Sequence, residues 1–224
     1  LAEEADLSDG YIHIKVSGLT DPEDARRAVD LGADLIACVF WSQSPRVVDI
    51  PQAWDIRQAI GRRAQMVGIF VNTPRPLVQR VARQSGLDMV QFFGRETRQD
   101  LEHYGSIHTF KALTVDAPDQ LEAQTRPFVS GVHLRTPAAP ALLLHLAGAA
   151  AQSWTSVAAL AARMPTILAS DALAPDTIGR AVAEVKPWGI DVWQAVESQP
   201  GRLDDDRLEA LVRVLRPQSG SVSP

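Results

Sequence analysis

Short apolar runs alternate with longer amphipathic segments eight times along this chain, and that alternation constrains the fold more than any other feature. Each run is long enough for one buried strand and each following segment for one surface helix, which is the pattern of parallel β/α units. The strands are predicted at Tyr11–Val16, Asp34–Phe40, Met66–Val71, Met89–Phe92, Thr109–Ala112, Gly131–Leu134, Thr166–Ala169 and Gly189–Val192. Helices are predicted after each of them, near Pro22–Leu31, Pro51–Ile60, Pro74–Ser85, Glu96–Tyr104, Pro118–Gln124, Thr155–Arg163, Pro175–Glu184 and Asp204–Leu215. Proline stands near several of these helix starts, where its missing N–H costs nothing, and Thr20 or Asp21 supplies a cap to the first. Eight units in 224 residues fit a compact α/β fold, a single-domain (β/α)8 TIM barrel over residues 11–216 with tails at 1–10 and 217–224. A doubly wound open sheet is the alternative, but no G-x-G-x-x-G follows the first strand.

Composition excludes several function classes. A net charge of −5 supplies no basic field for nucleic acid or an anionic membrane. The longest apolar run, Ala138 to Ala151, is broken by Pro140, His145 and Gly148 and is too short to span a bilayer. One cysteine, Cys38, forms no internal disulfide, which agrees with a reducing, cytoplasmic setting; in an apolar strand it reads as a small core residue. No H-x-H, H-E-x-x-H or C-x-x-C occurs, so neither a metal nor any other cofactor is expected. Asp204-Asp205-Asp206 reads as the acidified start of the last helix.

If the fold is a barrel, its chemistry lies at the C-terminal ends of the strands. Residues at those ends include Ser17, Trp41 to Arg46, Phe93, Arg135, Ser170-Asp171 and Trp193-Gln194.

The first unit, Ile14-Lys15-Val16-Ser17-Gly18-Leu19-Thr20, resembles the K-[IV]-C-G-[IL]-T opening of the phosphoribosylanthranilate isomerase family of tryptophan biosynthesis. Further stretches match that family in order. Phe40-Trp41-Ser42-Gln43-Ser44-Pro45-Arg46 is similar to F-Y-P-x-S-P-R, and Val67-Gly68-Ile69-Phe70-Val71-Asn72 to V-G-V-F-V-N. Val90-Gln91-Phe92-Phe93-Gly94-Arg95-Glu96 resembles V-Q-L-H-G-x-E, and Gly189-Ile190-Asp191-Val192 with Val196-Glu197 through Gly201 resembles G-x-D-V-S-S-G-V-E-x-x-P-G. The resemblance implies a TIM barrel and an Amadori rearrangement, in which a cysteine takes a proton and an aspartate within L-L-D at strand six gives one. It also implies that Arg46 steers the aromatic acid of the substrate.

At the reactive positions the sequence departs from that pattern. Ser17 replaces the cysteine; it stays protonated without an activating base, and is expected to donate a hydrogen bond rather than take a proton. Neither His13, too early in its strand, nor Phe93, where the family has histidine, supplies that base. With strand six at Gly131–Leu134, Arg135 holds the acid's place, and an arginine keeps its proton. Asp171 and Trp193-Gln194-Ala195 replace phosphate-holding glycine turns with charge and bulk. The expectation is therefore a barrel that has lost the ancestral isomerisation and binds or transforms another small, aromatic and anionic molecule. Its candidate contacts are Arg46, Asp191, Phe93, Trp193, Gln194 and Asp171, with Ser17 and Arg135 at the old catalytic positions. A residual isomerase and a catalytically inert partner or regulatory subunit are the alternatives. The apolar run at 138–151 is a candidate lid, or a docking face for a homodimer or another protein.

Overall fold

A computed structural model describes residues 11–129, 139–148, 154–169 and 175–216. Eight parallel strands close into a barrel in sequence order: β1 (His13–Ser17), β2 (Leu35–Val39), β3 (Gln65–Phe70), β4 (Met89–Phe92), β5 (His108–Val115), β6 (Leu142–Leu146), β7 (Thr166–Ala169) and β8 (Gly189–Val192). Closure comes from β1 pairing with both β2 and β8, with Lys15 opposite Leu35 on one side and Asp191 on the other. Gly189 permits that approach, since a Cβ there would stand 2.8 Å from the His13 carbonyl oxygen.

The strands are mainly apolar because both faces are covered. One face of each fills the barrel with Leu35, Ala37, Val67, Met89, Phe110, Leu143 and Ile167. The other packs under the helices α1 (Pro22–Asp30), α2 (Ile50–Ile60), α3 (Arg75–Ser85), α4 (Gln120–Val129), α5 (Trp154–Ala161), α6 (Pro175–Val185) and α7 (Asp205–Leu215). Asp21 caps α1 by accepting from the Glu23 and Asp24 amides, and Asp49 with Gln52 forms a reciprocal capping box on α2. After β8 a single 3₁₀ turn (Gln194–Val196) leads into the short hairpin β9 (Glu197–Gln199) and β10 (Arg202–Leu203). Among the described residues no helix is long and apolar enough to cross a membrane.

Two elements differ from the sequence reading. The helix predicted at Glu96–Tyr104 is one 3₁₀ turn, Arg98–Leu101. Thr97 and Asp100 start it with reciprocal capping bonds, but His103 and Gly105 adopt φ of 69° and 67° and stop it. The larger correction is strand six. Leu142–Leu146 fills the gap between β5 and β7, pairing Leu142 with both Lys111 and Thr166. The Gly131–Leu134 segment, with Arg135, lies outside the described residues, and Arg135 does not follow the sixth strand. The centre of the expected docking face at 138–151 is thus a barrel strand, with Leu142, Leu143, Leu144 and Leu146 buried. Trp54 is exposed on α2, whereas Trp188 is buried and stacks on His13.

Candidate active site

On β1 alternate residues face the barrel interior, so Lys15 and Ser17 share one face. Lys15 is fully buried and donates to the Ser17 hydroxyl at 2.6 Å. Ser17 Oγ in turn donates to Asp191 Oδ1 at 2.5 Å, and Lys15 Nζ lies 3.0 Å from Asp191 Oδ2. Lysine, hydroxyl and carboxylate therefore close a ring. Burial pulls the Lys15 ammonium below its ordinary pKa, against the opposing effect of Asp191. A buried charge needs this degree of pairing.

Above the ring lies Arg46, delivered by the loop after β2. Its guanidinium forks onto Glu197, with Nε donating to Oε1 at 2.7 Å and Nη2 to Oε2 at 2.5 Å. The hydrogen bond to Glu197 raises the Arg46 pKa further. Glu197 also accepts from the Gly201 amide at 2.9 Å, which fixes its direction. Gly18, with φ of 86°, makes room for this arrangement, because a Cβ would sit 2.5 Å from Arg46 Cδ. Ser17 is left only 1% exposed.

A cavity of about 290 Å³ opens at the C-terminal ends of the strands. Val39, Ile69 and Leu143 line its apolar part, with Trp41, Phe93 and Trp193 around it. Arg46, Gln91, His145 and Asp191 bring polar atoms to the same space. The Arg46 guanidinium also stands 5.6 Å from the centre of the Trp193 ring, and His145 meets that ring edge-on at 6.1 Å. Ala169 of β7 pairs with His145 on one side and Asp191 on the other. The two therefore share a level of the barrel, their backbones about 10 Å apart, with side chains lining one cavity.

Of the residues singled out from sequence, Arg46, Asp191, Phe93 and Trp193 line this cavity, and Ser17 joins it through Asp191. Gln194 is exposed on its 3₁₀ turn and does not line the cavity. Asp171 and Arg135 lie outside the described residues. Sequence reasoning passed over Lys15, Gln91 and His145. A lysine two residues before Ser17 on a closed barrel's strand had to be buried, and that was the available signal. For His145 the signal was Leu143-Leu144-His145 itself, an L-L-x run with an ionisable third residue. Among the described residues no three metal-ligating side chains cluster.

Comparison with known proteins bears on the chain as a whole. The profile of the N-(5'-phosphoribosyl)anthranilate (PRA) isomerase family matches residues 14–214. The N-(5'-phosphoribosyl)anthranilate isomerase of Pseudomonas putida (strain GB-1) is 36% identical over 213 residues, spanning 92% of this chain and 98% of its own. That of Pelobacter propionicus is 34% identical over 205 residues, spanning 92% and 96%. Among solved structures, the phosphoribosyl anthranilate isomerase of Thermus thermophilus superposes with a TM-score of 0.76 at 28% identity, covering 92% of this chain and 99% of its own. The Thermotoga maritima enzyme does so with a TM-score of 0.80 at 24% identity, over 92% and 99%, a likeness of fold. The chain belongs to the phosphoribosylanthranilate isomerase family. At the mouth of its barrel the chain carries Ser17 on β1 and, after Leu143-Leu144, His145 on β6.

Proposed function

We propose that this barrel isomerises N-(5'-phosphoribosyl)anthranilate, or a close N-ribosylated aromatic amine, by an Amadori rearrangement in which Asp191 is the base and His145 the acid. The observation that carries this reading is that both line one aromatic cavity at the same barrel level, each able to exchange a proton. His145, as the acid, gives a proton to the ring oxygen as the C1–O bond breaks, and the arylamine nitrogen takes up the double bond to C1. Asp191 removes the proton from C2, leaving an enol whose hydroxyl proton departs as C1 is protonated, giving the ketone. Lys15 and Ser17 orient the carboxylate. Trp41, Phe93 and Trp193 offer flat faces to the aromatic ring. Family membership supports the substrate class, and His145 at the L-L-x position removes the main chemical objection to turnover, an arginine in place of the acid.

A second reading keeps the ligand and drops the reaction. Trp193 stands where the family motif has a small serine, which crowds the side that a sugar phosphate would take and favours a small aromatic anion held without isomerisation. Turnover of N-(5'-phosphoribosyl)anthranilate, followed by the change in its fluorescence, decides between them. The isomerase reading expects turnover in the unaltered protein and losses of about 10²–10⁴-fold in Asp191→Asn and in His145→Leu. Absence of turnover alongside measurable binding of anthranilate would leave the second reading standing.

A further inference from the structure

Gln91 is 2% exposed, points inward from β4, and lines the cavity at the barrel mouth. Its side-chain oxygen is buried and has no hydrogen-bond partner among the described residues. Buried acceptors without a partner are uncommon, because desolvating one without a replacement bond is costly. The same cavity carries side-chain donors at Ser44, Arg46 and His145, yet none of them bonds this oxygen. In a closed eight-stranded barrel β4 lies opposite β8, so Gln91 faces Asp191 across the space that a ligand would fill.

We infer that Gln91 is a specificity-determining residue, whose amide oxygen accepts a hydrogen bond from an N–H or O–H of the bound ligand. This rests on the proposed function for the identity of that ligand, which carries both kinds of donor: an arylamine N–H and the sugar hydroxyls. A ligand donor completes the bond that the folded chain leaves unmade, whereas an apolar ligand of the same shape leaves the oxygen desolvated and unpaired. Discrimination of this type is steep, because a site built around a polar contact penalises the analogue that lacks it.

Calorimetric titration of the unaltered protein and of Gln91→Met tests the assignment with two probes. Anthranilate bears the arylamine without sugar hydroxyls, and ribulose 5-phosphate bears the hydroxyls without the arylamine. Affinity for one or both probes should fall about tenfold in the variant, and the probe affected identifies the donor. The thermal midpoint of the ligand-free variant should equal or exceed that of the parent, since an unpaired buried acceptor has been removed. Unchanged affinity for both probes, failure of the parent to bind either, or a midpoint lowered by several degrees would each overturn the assignment. Turnover is a separate readout. Its absence in both proteins sinks the isomerase reading, while the binding data alone decide the role of Gln91.

Discussion

Ser17 differs from cysteine by one atom, yet its surroundings give it a different task. A thiol at this position works by ionising near working pH. The hydroxyl instead spends its proton on Asp191 at 2.5 Å and its oxygen on Lys15 at 2.6 Å. It is also shielded from the cavity, whereas Asp191 lines it. The Lys15–Asp191 contact of 3.0 Å does not pass through Ser17, so removing the hydroxyl leaves the carboxylate paired. Ser17→Ala should therefore lower kcat/KM only about tenfold, the cost of one charge-assisted bond. A loss of about 10²–10⁴-fold, the range for deleting a positioned base, would return the proton-abstracting role to Ser17. Sequence showed which letter had changed at position 17; it did not show what the new side chain touches, because Asp191 lies 174 residues away.

At the scale of elements, the legible parts were those written by local chemistry. Strand one and the capped start of α1 were predicted from neighbouring residues and formed as expected. Strand six was misplaced because Gly131–Leu134 and Leu142–Leu146 are both short apolar runs, and only pairing with β5 and β7 chooses between them. That choice puts His145, not Arg135, on the sixth strand, and the acid role proposed for His145 depends on it. The clamp joining α1 to the β9–β10 hairpin was also invisible, since its members are far apart in sequence. Asp24, fully buried, accepts from Arg202 Nε at 2.6 Å and from the Leu203 amide at 3.1 Å, and pairs with Arg27. Burial pushes its carboxyl up, but the bonds from Arg202, the Leu203 amide and Arg27 outweigh this and hold it below its ordinary 3.8. Glu96 behaves likewise: burial is outweighed by Lys111, donating at 2.8 Å, and by backbone amides, so it lies below 4.5. Both carboxyls bind protons less tightly folded than unfolded. Their stabilisation is complete above 3.8 and 4.5 respectively and disappears as pH falls through the lower folded values. Asp24→Asn should cost about 3 kcal/mol at neutral pH, the low end for breaking a buried pair because its arginines reach the surface. Urea unfolding at pH 7 and pH 3 measures both effects: the gap between parent and variant should narrow in acid. A gap that stays constant would show that the charge on Asp24 contributes nothing.

For the molecule as a whole, barrel closure makes the one cysteine a reporter of cooperativity. Cys38 sits on β2, directed to the layer between strands and helices beside Ile36, Ala53 and Ile56, and it is fully buried. Burial pushes its thiol up to about 12, so little thiolate forms at neutral pH and no reagent reaches it in the folded state. Opening a path to it requires parting β2 from its covering helices. Every strand in a closed barrel is held on both sides, so such an opening is expected to track global unfolding rather than local fraying. Alkylation by iodoacetamide in increasing urea should accordingly follow the unfolding curve seen by circular dichroism, with negligible modification below the transition. In native buffer the same reagent should leave turnover intact, because no step proposed for Asp191 and His145 uses a thiol. Rapid modification of Cys38 in native buffer would mean that this side of the barrel opens on its own. Loss of turnover at the rate of that modification would tie catalysis to a sulfur that the site's geometry places behind the barrel wall.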